Sequence, residues 1–227
     1  TPLTAPVEVT RAGWGPFRRL CTEYTYHPGQ ASRAARTRCL NATATAGEGA
    51  WRVQVRPDTV GTAAAPTYAM TRRDDGGVSD VTASPPGGTA PLRPEQLAAL
   101  QATARVLLES LGMGRQTLSP GTTFALPLPQ VMEGQQPARG LNCLPEARAR
   151  LAGRDVVVAR CLARLEGRLT PTATGSVTIA GNFAVDIETG VLLGQGYATR
   201  TETFTAPQGQ AARSNGVVLM TALTRLD

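Results

Sequence analysis

Apolar and polar residues alternate with a period of two over most of this chain, and one stretch alone switches to the helical period. Successive side chains of a strand point to opposite faces, so this pattern calls for antiparallel β structure with one side turned to a core. Leu20, Thr22, Tyr24 and Tyr26 share one face of a strand predicted over 17–26, with Cys21, Glu23 and Thr25 on the other. His27-Pro28-Gly29 ends that strand. A second is predicted over 36–45. In a third, Trp51, Val53 and Val55 turn inward, Arg52, Gln54 and Arg56 turn outward, and Pro57 stops the run. Residues 67–73 and 78–83 flank Asp74-Asp75-Gly76-Gly77, a hairpin signal.

The period changes after a Pro/Gly-rich loop at 84–91. Pro94 suits the first position of a helix. Leu97, Leu100, Ala104, Leu107, Leu108 and Leu111 follow at helical spacing until Gly112 and Gly114, which predicts one helix over about 95–111 with its apolar stripe on the sheet. Beyond it, 118–129 reads as a turn, a short strand and a stop, 134–140 as a loop, and 145–151 as a short helix. The remainder is strongly β. Strands are expected over 156–165, 176–185, 191–204 and 217–226, with Asp186-Ile187-Glu188-Thr189-Gly190 as a solvated turn. The expected fold is therefore mainly β (α+β): a curved antiparallel sheet or half-open barrel packed on one long helix. It forms one β-rich domain over 1–227, with a two-lobe division near 85–117. The 24 Gly and 17 Pro fit many tight connections.

Four cysteines constrain the fold further: Cys21, Cys39, Cys143 and Cys161. None lies in a CxxC pair and the chain has a single histidine, which argues against zinc. Four cysteines allow three pairings. Cys21 to Cys39 and Cys143 to Cys161 are both 18 apart, and both second cysteines read Arg-Cys-Leu, which favours two local disulfides and an oxidising compartment. The matched spacing also raises an internal duplication of 1–90 onto 115–227. The chain opens on Thr1 without Met, with Pro2 and Pro6 close by, as expected of an exported chain whose leader has been removed or of a trimmed sequence.

The residue inventory excludes much chemistry. All 23 basic residues are arginine, so lysine-dependent Schiff-base, P-loop and kinase chemistry has no donor. His27 is the only histidine, it sits at a strand end, and no GxSxG elbow accompanies it. Asp186 with Glu188, and Asp74 with Asp75, read as turn residues and not as a glycosidase pair or a calcium loop. No catalytic residue, metal site or cofactor is expected, and no stretch has the ~18 apolar residues of a membrane helix. Positive charge is concentrated in the cysteine-bearing segments: eight arginines against three acidic residues over 1–56, and seven against three over 139–168. Arg18, Arg19, Arg36, Arg38, Arg148, Arg150, Arg154, Arg160 and Arg164 would make one basic face if the two segments adjoin, suited to anionic lipid or an acidic partner. Aromatics are 4% and no nucleic-acid motif is present, so nucleic acid is not an expected partner.

The C-terminal half carries a resemblance. Leu118–Pro129 (LSPGTTFALPLP), the Val-rich run Val156–Ala159 and Gly175–Gln195 (GSVTIAGNFAVDIETGVLLGQ) resemble uncharacterised secreted bacterial envelope β-proteins. In those, a P-G-x-x-W/F strand precedes a D-x-x-T-G-x-L hairpin. They are similar in outline to the half-barrels of periplasmic lipoprotein carriers and lipid binders. The resemblance covers 118–204 and implies a periplasmic or extracellular location and an apolar cavity; it supplies no catalytic residue. Two functions are therefore expected to compete. One is a non-enzymatic envelope protein holding an apolar ligand or lipid, with Leu100, Leu107, Leu108, Leu111, Phe124 and Val157 as candidate lining. The other is a structural or accessory subunit of a larger envelope or extracellular assembly, binding a protein partner through sheet edges or the arginine face.

Overall fold

The structure is a computed structural model, and it describes residues 1–9, 19–28, 36–58, 65–73, 75, 77–86, 92–109, 113–126, 141–170, 173–205, 211–212 and 217–226. An N-terminal meander comprises β2 (Arg19–Pro28), β3 (Arg36–Gly47), β4 (Ala50–Pro57), β5 (Thr67–Arg73) and β6 (Val78–Ser84), preceded by the short β1 (Val7–Val9). Helix α1 (Pro94–Glu109) and β7 (Gln116–Leu118) follow. A C-terminal meander then runs through β8 (Phe124–Leu126), β9 (Leu141–Leu151), β10 (Arg154–Thr170), β11 (Ala173–Asp186) and β12 (Leu192–Thr205). The two-residue β13 (Ala211–Ala212) and β14 (Val217–Leu226) close the order.

One large antiparallel sheet takes up both meanders in the order β6-β5-β4-β3-β2-β14-β12-β11-β10-β9-β8, with β13 beside β12; β1 and β7 form a separate ribbon. The sheet is open: β6 and β8 lie at opposite ends of the order. The last strand in sequence sits near the middle. β14 pairs with β12 on one side and with β2 on the other, and Thr22 Oγ1 meets Thr224 Oγ1 at 2.9 Å in the buried junction.

The alternation read from the sequence sets the buried face. Val53 and Val55 are fully buried on β4, and Val157, Ala159 and Cys161 on β10, opposite Val185, Phe183 and Gly181 of β11. Two apolar clusters result. In the first, the face of β9–β11 is covered by Leu3, Val7 and Val9 of the N-terminal segment, Met113 and Leu118. The second joins Leu20, Leu40, Val53, Val55, Tyr68 and Met70 with Ala104 of α1 and with Val156, Ala184, Val191 and Leu193. The ribbon β1–β7 thus covers the C-terminal meander. The helix contacts mainly β6, and to a lesser extent β5. Among the described residues the helix lies against these two strands at one end of the sheet order. The helix is described to Glu109, two residues short of the expectation, and 110–112 lie outside the described residues.

Residues 145–151 are the clear correction. They belong to β9 and are not helical. Ala, Arg, Glu and Leu favour a helix, but pairing with β10 overrides that preference. Pro145 is accommodated where the register slips beside Glu146, a bulge, which is where a strand tolerates proline. The β9–β10 connection is the two-residue Ala152-Gly153, both at positive φ (49° and 79°), the type I′ arrangement whose twist matches the flanking strands. The outer edge of β9 is occupied by β8 along 141–143 and by Thr1–Leu3 along 146–148.

Both expected disulfides form, Cys21–Cys39 and Cys143–Cys161. Each joins directly opposite residues of neighbouring strands, β2 with β3 and β9 with β10, at Cα separations of 4.1 and 4.0 Å. Following the registers across the sheet puts the two bridges on opposite faces: Cys161 aligns with Gly181, Tyr197, Met220 and Tyr26, and Cys21 has the other parity. Cys143 and Cys161 are therefore buried, and Cys21 and Cys39 are half-buried. The Arg-Cys-Leu triplet is inverted likewise. Leu40 is in the core, whereas Leu162 is 57% exposed. Equal spacing therefore does not translate one half onto the other.

Candidate functional site

The arginines do not gather into one face. Between β2–β3 and β9–β10 the sheet order inserts β14, β12 and β11. Within β10, Arg154, Arg160 and Arg164 share one face, whereas Arg148 and Arg150 stand opposite Val157 and Asp155 of the other. Acidic neighbours take up much of the charge. Arg19 pairs with Asp58 at 2.6 Å, Arg150 with Asp155 at 3.6 Å, Arg160 with Glu146 at 3.0 Å and Arg164 with Glu166 at 3.7 Å. Arg38 and Arg148 are exposed. Arg18 lies outside the described residues, and for Arg36 only the strand position is described.

The apolar candidates also separate. Val157 and Phe124 belong to the cluster under β1–β7, and Leu100 packs against the other cluster. Leu107 and Leu108 lie on α1, and Leu111 is outside the described residues.

The Asp186 turn is more than a solvated connection. Asp186 is 1% exposed. Arg154 donates to it twice, Nε to Oδ1 at 3.0 Å and Nη2 to Oδ2 at 2.9 Å, and Nη2 also reaches the exposed Glu188 at 3.0 Å. Asp186 Oδ2 further accepts from the Thr189 amide at 3.0 Å and from the Thr189 hydroxyl. Its hydrogen bonds hold the Arg154 guanidinium above the usual arginine range. Gly190 sits at φ +72°, and a Cβ there would run into the Met113 carbonyl; the Met113 amide donates to the Gly190 carbonyl at 2.9 Å. A buried carboxylate that accepts four hydrogen bonds, three of them at Oδ2, positions the backbone of the turn. The D-x-x-T-G sequence is a structural corner that ties the β11–β12 turn to β10 and to the segment before β7.

Two features escaped the sequence reading. The first is Arg72. It follows Tyr68 and Met70 on the inward face of β5, opposite Trp51 and Val78, and is 3% exposed. Burial lowers its pKa to about 10, so it remains a cation at neutral pH inside an apolar face. The same alternation that places Met70 inward places Arg72 inward, so the signal was present.

The second is the edge of β10. This strand pairs with β11 as far as Thr170, but with β9 only from Arg154 to Leu162. Among the described residues, Ala163–Thr170 has no strand on its β9 side. Such an edge presents backbone donors and acceptors to any incoming strand. Among the described residues, no group of three or more His, Cys, Asp or Glu side chains is placed to hold a metal ion, and no helix is long and apolar enough to cross a membrane.

Comparison with known proteins finds no family model, no curated protein and no solved structure that matches the chain.

Proposed function

We propose that the chain is a non-catalytic interaction domain, an accessory or structural subunit of a larger envelope or extracellular assembly, that docks a partner by adding a strand to its open sheet. The observation that carries this reading is that, among the described residues, β10 pairs with β11 for eight residues beyond its last partner on β9. Its companion is the filled face of the C-terminal meander, where the most buried side chains are covered by the chain's own N-terminal segment and β7. Apolar surface spent on internal packing leaves backbone edges as the means of recognition. Two formed disulfides, together with the sequence resemblance, support an oxidising exported compartment such as the periplasm.

The test is retention of a partner from native envelope extracts by the full chain and by Glu166→Pro. Proline removes an edge-facing amide while leaving the β11 ladder intact. Loss of the retained partner in the variant is expected. Equal retention by both proteins, or no specific retention by either, would sink this reading.

A further inference from the structure

We propose that residues 1–9 are a displaceable strap, and that the groove beneath them is a docking site for an extended peptide with three apolar anchors at the spacing of Leu3, Val7 and Val9. This goes beyond the docking reading above and does not depend on the edge of β10. The strap shows what the groove selects. Leu3, Val7 and Val9 are buried, Val9 completely, and the residues between them are exposed. Its backbone is paired at two places. The Thr1 nitrogen and carbonyl bond to Arg148 of β9, and the Leu3 amide donates to the Glu146 carbonyl, all at 2.8 Å. Further along, Val7–Val9 lies antiparallel to Gln116–Leu118 of β7. Thr4, Ala5 and Pro6, between the two places, belong to no strand. Main-chain pairing on a strand edge, with separate side chains set into an apolar face, is the strand-addition mode of peptide recognition. Here it is satisfied within one chain.

The groove is built without the strap. Its floor is the β10–β11 face, where Val157, Ala159, Phe183 and Val185 are buried. One wall is the outer edge of β9, and the Cys143–Cys161 disulfide fixes β9 to β10 close to it. The other wall is β7. Three residues before β7, the Met113 amide donates to the Gly190 carbonyl at 2.9 Å, so the corner organised by Asp186 and Arg154 holds this wall as well. None of these anchors belongs to residues 1–9. A polar tie joins strap to wall, the ion pair of Glu8 with Arg115 at 3.1 Å, but both side chains are more than half exposed, where such a pair contributes little. The walls are thus held by a covalent bond and a buried charge-assisted network, and the strap by three apolar side chains and two short pairings. An element tied so lightly opens while the better-tied core stays closed. While seated, it competes as a tethered segment, at an effective concentration far above that of a dilute free peptide.

Hydrogen exchange of the natural chain tests displacement. Amides of residues 1–9, and the Arg148 amide that bonds to Thr1, should exchange at least about tenfold faster than those of β10 and β11. Exchange of the strap in step with β10 and β11 overturns the proposal. Binding tests the groove. The peptide TPLTAPVEV, labelled with a fluorophore at its C-terminal end, should bind the full chain carrying Val9→Asp at least about tenfold more tightly than the natural chain, because the variant's own strap no longer seats residue 9. The same peptide carrying Val9→Asp should not bind. Val7→Ala in the full chain, a milder weakening, should give a smaller gain in the same direction and serves if Val9→Asp does not fold. A natural-sequence peptide that binds neither variant, or a Val9→Asp peptide that binds equally well, overturns the proposal. Dimers of the natural chain that the free peptide dissolves would assign the groove to the strap of a second copy and overturn its role as a site for other peptides. If the peptide fails while Glu166→Pro still loses a partner, docking at β10 stands and the groove falls; if the peptide binds while that test fails, the groove stands alone.

Discussion

Arg72 stands among residues that ordinarily make a core, and its burial opposes the charged form. This lowers its pKa to about 10 in the fold. At neutral pH both states carry the proton, and the folded state bears the full penalty. Above about pH 10 the folded chain releases this proton while the unfolded chain still keeps it. The unfolded state then binds more protons, and stability gains with rising pH in that window. Tyr68, two strand positions away (Met70 lies between), acts in the opposite sense. Burial raises its pKa above 10.0, so its contribution is present below pH 10 and is lost above it. Replacing Arg72 with Met removes only the first effect. Arg72→Met is expected to be more stable than the natural chain at pH 7, by up to about 3 kcal/mol on the scale of 1.36 kcal/mol per pH unit, and the gap should narrow by pH 10.5. Urea midpoints at the two pH values check this; a variant destabilised at pH 7 would show that the guanidinium contributes more through its contacts than its burial costs.

The two disulfides look alike in sequence and differ as elements of the fold. Both span 18 residues and both join the facing positions of adjacent strands. A loop of this length gives each about 3 kcal/mol by the chain-entropy model. They separate in access, because they lie on opposite faces of the sheet: Cys143 is 0% and Cys161 1% exposed, whereas Cys21 and Cys39 are half-buried. Thiol–disulfide exchange requires an attacking thiolate to reach a sulfur. Cys21–Cys39 is therefore expected to reduce first under mild dithiothreitol in native buffer, and Cys143–Cys161 only once the fold opens. Differential alkylation with peptide mass spectrometry reads the order; simultaneous reduction would mean that the β9–β10 core opens as readily as the outer face. The pairing itself was legible, because two equal local spacings carry the information. The face was not legible, because it depends on parity transmitted through four intervening ladders. Residues 145–151 failed for a related reason. Local propensity pointed to a helix, and the strand that overrode it lies on the far side of a two-residue turn. Asp186 was misread as solvated because a turn sequence does not reveal that Arg154, 32 residues earlier, ends beside it.

At the scale of the molecule, what makes one sheet of two meanders is β14. The alternation of 217–226 announced a strand, but nothing local could say that it would pair with β2, about two hundred residues earlier in the chain. Its place in the order means that neither meander ends in an exposed edge at the centre, and that the two apolar clusters belong to one hydrogen-bonded layer. The buried Thr22–Thr224 contact lies at that seam. Thr224→Val leaves the Thr22 hydroxyl buried without its partner, which costs on the order of 1–3 kcal/mol, whereas replacing both threonines by Val should cost less than the sum of the two single changes. If the seam couples the halves, Thr224→Val will speed hydrogen exchange in β3–β5 and in β10–β11 together, since both lie in the same cooperative unit. Exchange that rises in β2 and β3 alone would mean that the meanders open independently, with β14 serving only as a local edge cover. The coupled outcome has a functional consequence: a strand added at β10 would then stabilise the far β2–β6 meander and raise the protection of Val53 and Val55, six strands away from the docked edge in the sheet order.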